Sequence, residues 1–194
     1  MRKRSKLPAL LIVAGVLLLA VGFMAVFWGS ISARLKKAML PLAYVNEIKT
    51  AADSYGLDRR LVAAVINTES GFDPEAVSVD GAEGLMQLLP STAQWIADMR
   101  GIKLKDGALF DPETNIEYGC WLLRYLLDRY DDSERYALIA YNAGVGRLDE
   151  WLENETDADG ELSVIPYAET RNYVKKVMSL IEAYGEYYEA ELMD

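Results

Sequence analysis

"RRLVAAVINTESGFDPEAVSVDGAEGLMQLLP", residues 59–90, joins two patterns that belong to different kinds of structure. In its first third Val62, Val65 and Ile66 stand seven, four and three positions ahead of Glu69. At 3.6 residues per turn those four side chains share one helix face. The remainder interleaves Gly, Asp, Pro and Ser with short apolar fragments, the composition of a turn-rich connection. A carboxylate at the end of an apolar stripe is costly to desolvate, so its position needs a reason. Partial desolvation favours the neutral acid and raises its pKa, as a proton donor near neutral pH requires. Gly71 is expected to stop the helix, so that Glu69 emerges at the rim of a cleft. A solvated glutamate at the edge of the stripe is the plainer alternative, and helix position alone favours it.

Helical periodicity continues on both sides of this stretch. "PLAYVNEIKTAADSYG" places Leu42, Val45, Ile48 and Ala52 at helical spacing and ends at Gly56, and Asp58 is a natural start for the next helix. "PSTAQWIADMRG" predicts a third helix, and "FDPETNIEYGCWLLRYLLDRYDD" a fourth with Asp111 as cap and Pro112 at the first helical position. Further helices fit "ERYALIAYNAG", "GRLDEWL" and "YAETRNYVKKVMSLIEAYGEYYEAEL". No segment alternates in the manner of a strand. The prediction is a mostly α domain with its functional residues on helix ends and irregular connections. Tyr184, Tyr187 and Tyr188 lie on the long last helix, where packing is the expected role.

The first 40 residues differ in kind. Residues 7–28 carry no charge, and 22 residues at about 1.5 Å each span roughly 33 Å, enough for a hydrocarbon core. Arg2, Lys3, Arg4 and Lys6 precede the stretch and Phe27 and Trp28 end it, which places the N-terminus in the cytoplasm. Arg34, Lys36 and Lys37 on the other side weaken that asymmetry. The apolar run exceeds the roughly 7 to 15 residues of a signal-peptide core, and no clean cleavage site follows it. The expected organisation is a cytoplasmic segment at 1–6, a single transmembrane helix at 7–28, a tether at 29–40 and one domain at 41–194. That domain would sit on the outer side of the cell membrane.

Inventory excludes several chemistries. With no histidine, the chain has no Ser-His-Asp triad, no Cys-His pair and no histidine-liganded metal. The lone Cys120 sits in the apolar pattern "YGCWLLRYLL" and reads as a core thiol. All 30 acidic residues and 13 of the 20 basic ones follow residue 40, so the domain carries 13 − 30 = −17. That charge argues against nucleic acid and against capture by anionic lipid or polymer. No cofactor and no metal are expected. The acidic "ENETDADGE" at 153–161 holds an Asp-x-Asp-Gly fragment but lacks the other ligands of a calcium loop, and reads as an exposed loop.

What decides between the two readings of Glu69 is its company. "ESGFDPEAVSVDGAEGLMQLLPSTA", "AYNAG" at 140–144 and "IPYAETRNYV" at 165–174, with "FDPETNIEYG" between, resemble the catalytic domain of the soluble lytic transglycosylases, related in fold to goose-type lysozyme. The resemblance covers about residues 42 to 182. It implies a lysozyme-like helical domain that cuts peptidoglycan glycan strands between N-acetylmuramic acid and N-acetylglucosamine without water. The muramyl C6 hydroxyl closes on C1, leaving a 1,6-anhydro end.

The resemblance also implies roles. Glu69 is the acid that protonates the glycosidic oxygen and then the base that accepts the C6 hydroxyl proton, help typically worth about 10² to 10⁴ in rate. The substrate's N-acetyl carbonyl can stabilise C1 in place of a second carboxylate. Ser78 matches a serine that orients the N-acetyl group, and Gln87 a glutamine that hydrogen-bonds sugar. Tyr141 matches a tyrosine held near the acid, and Glu169 a supporting carboxylate. Met86 and Asn142 are further candidate sugar contacts for which packing and loop geometry offer a sufficient alternative. Leu89 replaces a methionine of many relatives and keeps its apolar volume. A hydrolytic muramidase would need another base, for which Asp73, Asp80 and Glu83 are near in sequence; a binding module without turnover would not need the Glu69, Gln87 and Tyr141 set.

Overall fold

The computed structural model describes residues 35–157 and 161–193, together with Phe23, Met24 and Trp28. The chain divides into two units, Met1–Pro41 and Leu42–Asp194. The predicted membrane span at 7–28 lies outside the described residues except for those three side chains. Among the described residues no helix is long and apolar enough to cross a membrane.

The second unit is built of helices, in the order the sequence predicts. Helix α1 (Val45–Tyr55) closes on Gly56, whose φ of 62° lets its N–H reach the carbonyls of Ala52 and Asp53. Helix α2 (Arg59–Glu69) starts at Asp58, whose carboxylate accepts from the Arg60 N–H at 2.8 Å. Helix α3 (Pro90–Arg100) begins with proline and ends at Gly101. A short 3₁₀ turn, Ala108–Phe110, leads into α4 (Pro112–Arg129), capped by Asp111 through the Thr114 N–H at 2.9 Å. Helices α5 (Glu134–Ala143) and α6 (Val145–Asn154) are separated by Gly144 alone, and α7 (Ala168–Met193) closes the domain, with a kink at Tyr188. Among the described residues β-structure amounts to isolated bridges, two of them, Val77 with Glu83 and Glu83 with Leu88, in the long connection before α3.

Helix α2 is more deeply placed than an amphipathic stripe predicts: every residue from Leu61 to Ile66 is buried, small Ala63 and Ala64 included. It packs chiefly against α7 and also against α1. Burying a Val or Ile side chain is worth about 1.5–3 kcal/mol, so Val62, Val65 and Ile66, all at 0 % exposure, fix its axis firmly. The α7 side of this contact carries Val177 and Tyr184, the latter fully buried with its hydroxyl accepting from Asn67 Nδ2 at 3.0 Å. Tyr188 packs against Tyr184 at 5.9 Å between ring centroids. Cys120 is buried on α4, and burial pushes its thiol pKa up.

The connection from Ser70 to Leu89 is held by a different kind of bond. Asn115 on α4, at 0 % exposure, accepts from the Met86 N–H at 2.7 Å and donates to the carbonyls of Leu109 at 2.8 Å and Glu83 at 3.0 Å. Ser70 Oγ donates to the Leu85 carbonyl at 2.8 Å, tying the loop to the end of α2. Gly84 has φ 74° and lies so close to Asn115 and the Leu109 carbonyl that a Cβ there would collide with both. The Met86 side chain is fully buried and packs on Gly119 of α4, where again no Cβ fits.

Candidate active site

Glu69 is the last residue of α2, and the helix stops there because Ser70 leaves helical geometry and Gly71 adopts φ 62°. The apolar face behind it therefore presents the carboxyl group to an open cleft of about 260 Å³. The same cleft is lined by Ser78, Asp80, Gln87 and Leu89 from the connection, Thr92 from α3, Leu122 from α4, Tyr141 and Asn142 from α5, and Glu169 from α7. Five structural pieces thus converge on one carboxylic acid.

Burial is the largest influence on that acid and raises its pKa to about 7. Two opposing groups keep it from rising further: the Tyr173 hydroxyl, and the charge of Lys176. Both reside on α7, one turn apart, and Lys176 Nζ also donates to the Thr68 carbonyl at 3.4 Å. Tyr173 is buried, and its hydroxyl has no aligned hydrogen-bond partner among the described residues. It stands close enough to the carboxyl group to favour its charged form without completing a hydrogen bond of good geometry. Burial and the charge of Glu69 both push the Tyr173 and Tyr141 phenols well above their ordinary pKa, so each stays protonated. Near neutral pH both phenols beside Glu69 are therefore neutral and neither acts as a base toward it.

The other predicted site residues fall into two groups. Ser78, Gln87, Leu89, Tyr141, Asn142 and Glu169 all line the Glu69 cleft. Ser78 Oγ accepts from the Ala82 N–H at 3.0 Å, which shapes the turn before the cleft. Gln87 has φ 48°, a left-handed conformation uncommon for a residue with a side chain, and it is held by its own amide donating to the carbonyls of Gly84 at 2.9 Å and Ala76 at 3.1 Å. Tyr141 donates to the Met86 carbonyl at 2.7 Å, so the phenol both lines the cleft and clamps the connection. Met86 does not reach the cleft: its side chain belongs to the core and its contribution is the backbone carbonyl that Tyr141 takes. Of the three carboxylates considered as an extra base, Asp80 lines the cleft; Asp73 and Glu83 do not.

Sequence reasoning missed Tyr173, Thr92, Leu122 and the anchoring Asn115. Tyr173 had a usable signal, since it stands four residues after Glu169 on the same helix face. Asn115 had none beyond its place in "FDPETN", because two of its three partners are 29 and 32 residues away.

Known proteins share this arrangement of chain. The family model described as "Transglycosylase SLT domain" matches residues 46–164, ending just ahead of Glu169 and Tyr173. The soluble lytic murein transglycosylase of Escherichia coli (strain K12) is 37% identical over 153 residues, covering 76% of this chain and 23% of that protein. The membrane-bound lytic murein transglycosylase C of Haemophilus influenzae (strain PittGG) is 34% identical over 160 residues, covering 69% of this chain and 44% of that protein. The crystal structure of the 70 kDa soluble lytic transglycosylase from Escherichia coli superposes with a TM-score of 0.69 at 36% identity, over 76% of this chain and 25% of that one. The chain thus spans 23% to 44% of the length of these relatives.

Proposed function

Because the chain belongs to the transglycosylase SLT domain family, with its lysozyme-like fold, we propose that its folded domain cleaves the glycan strands of peptidoglycan between N-acetylmuramic acid and N-acetylglucosamine, using Glu69 as acid and then as base. The observation that carries this reading is a carboxyl group with a pKa of about 7 opening into a cleft lined by Ser78, Gln87, Tyr141 and Asn142.

The chemistry is the one the family resemblance implies, carried by these groups. Near neutral pH a large share of Glu69 is protonated, whereas an ordinary glutamic acid would be almost wholly ionised. As the bond from C1 to the bridging oxygen breaks, Glu69 gives its proton to that oxygen. The carboxylate so formed then takes the proton of the muramyl C6 hydroxyl as its oxygen bonds to C1. The acid is regenerated, and no water is consumed. Positive charge at C1 is met by the substrate's own N-acetyl carbonyl, the group that Ser78, on the cleft wall, orients in this reading. Gln87, Leu89, Asn142 and Glu169 hold the sugars in register, and Tyr141 fixes the wall of the cleft.

Glu69→Gln keeps the volume and removes the proton. It is expected to lower the cleavage rate by about 10² to 10⁴, the typical scale of general acid–base help, and undiminished cleavage would remove Glu69 from the mechanism. Mass spectrometry of the products identifies the reaction class: anhydro ends are lighter by one water than hydrolytic ends. Asp80, on the cleft wall, supports a second reading in which it activates water for hydrolysis. Hydrolytic ends lost on Asp80→Asn would select that reading.

The setting is part of the proposal. Residues 7–28 span the membrane once with the N-terminus in the cytoplasm, and residues 29–40 tether the domain at most roughly 40 Å from the outer surface. This rests on the charge-free run and the basic residues before it. Alkaline extraction of membranes tests it, since release of the chain into the soluble fraction would contradict a spanning anchor.

A further inference from the structure

Beside the Glu69 cleft lies a second basin of about 490 Å³, and the two share a wall of Leu89, Thr92, Leu122, Tyr141 and Asn142. Beyond that wall the basin is bounded by Trp95 and Tyr125 on one side and by the Ala143–Gly144–Val145 corner between α5 and α6 on the other. Trp95 is 36% exposed although it is one of the largest side chains of the domain. Its ring is braced: it meets Trp121 at 5.4 Å and Tyr125 at 5.0 Å, nearly perpendicular to both, while Trp121 and Tyr125 stack on each other within 7°. Trp121 and Tyr125 are four residues apart on α4, and Trp95 comes from α3, so two helices cooperate to hold one indole at the cleft's edge. An aromatic group left partly in water at this apolar cost, and held in one orientation by two others, is suited to receive a flat apolar surface.

We propose that this basin is an outer saccharide subsite, in which a sugar ring further along the same glycan strand packs its C–H face on Trp95 while Thr92 and Asn142 take its hydroxyl groups. The proposal rests on the glycan-cleaving reading of the neighbouring cleft. Continuity supports the sugar as occupant, because a strand seated over Glu69 must leave the cleft past the shared wall. Chemistry supports it over the peptide stem. Among the described residues no charged side chain lines the basin, and the domain's net charge of −17 disfavours an acidic stem. β-linked pyranoses, by contrast, offer an apolar C–H face and peripheral hydroxyls, which match an indole with one amide and one hydroxyl nearby.

The test measures binding separately from turnover. In the Glu69→Gln protein, calorimetry with peptide-free glycan strands of graded length should show affinity rising from tetrasaccharide to octasaccharide. Adding Trp95→Ala should weaken the octasaccharide about tenfold, the scale of a lost apolar contact in a pocket, and leave the tetrasaccharide nearly unchanged. Trp95→Phe should recover most of the loss. Val145→Glu, which narrows the far side of the basin without touching the aromatic group, should give the same length-dependent loss should Trp95→Ala fail to fold. Affinities of the Trp95→Ala and Val145→Glu proteins that match those of the Glu69→Gln protein at every length would overturn the subsite, as would a loss seen only with stem peptides attached. A protein with Glu69 intact that cleaves glycan while both variants match it at all lengths would sink the subsite and leave the cleavage reading standing. Length-dependent, Trp95-dependent binding without any cleavage would do the reverse.

Discussion

Two regions meet at Glu69, and opposite forces hold them. Behind it, α2 is fixed by apolar burial: Leu61 to Ile66 are enclosed, and the partner surface of α7 is largely apolar as well. In front of it, the Ser70–Leu89 connection is fixed by directed hydrogen bonds: Ser70 and Tyr141 donate to its carbonyls, and Asn115 accepts from its Met86 N–H. The first arrangement strips water from the carboxyl group and sets its pKa. The second places polar groups along the cleft while leaving their remaining hydrogen-bonding capacity open. A single mode of packing would not do both, because apolar burial supplies no orientation and a polar shell alone would leave Glu69 an ordinary, ionised acid.

Perturbing the apolar side should give the largest effect. Ile66→Ala opens a cavity in the α2–α7 contact and is expected to cost about 2–5 kcal/mol in denaturant unfolding. A loss below the range for exposed sites would show that α2 is held by something other than its burial.

The acid itself links the two sides through pH. Folding raises the Glu69 pKa from 4.5 to about 7, so the folded state binds the proton more tightly than the unfolded chain does. The associated stability is complete below pH 4.5, declines as pH rises and is gone above about pH 7. Glu69→Gln escapes that loss. It should therefore be more stable than the parent at pH 8, by at most about 3 kcal/mol, and lose this advantage near pH 4, as thermal melts at the two pH values would report. An advantage that grew toward low pH would reverse the sign and refute the desolvation account.

On the polar side, Asn115→Ala leaves the Met86 N–H and two carbonyls without their partner. We expect about 1–3 kcal/mol of destabilisation, and a KM that rises more than kcat falls, because on the proposed reading the residues displaced position sugar and do not transfer protons. A kcat loss matching that of Glu69→Gln would mean the connection holds the acid directly. The smallest change is expected from Tyr173→Phe. Removing a hydroxyl that favours the charged carboxylate should move the alkaline limb of the kcat/KM profile to higher pH. A limb moving to lower pH would show that Tyr173 acts on the neutral acid instead.

The same contrast explains what could be read from the chain. The helices and most of their ends were legible because they depend on local chemistry: Asp58, Asp111 and Gly56 cap within a few residues of themselves. Glu69 was legible because its apolar face is local too. The cleft wall was legible only by resemblance, since Gln87 owes its left-handed backbone to contacts that no periodicity encodes. Met86 illustrates the limit: adjacent to Gln87 in a cleft-lining motif, it points the other way, because the turn at Gly84 directs its side chain onto Gly119. Tyr173 and Trp95 act through groups on other helices, and Asn115 through the connection before α3 and the 3₁₀ turn, so nothing in their immediate neighbours announces them.

Cys120 gives the domain a built-in reporter. It is the chain's sole thiol, and it is sealed at 0 % exposure in the helix that also carries Asn115 and Trp121. A chromogenic sulfhydryl reagent can react with it only when that core opens, so the labelling rate of the unaltered protein counts breathing events without any engineered probe.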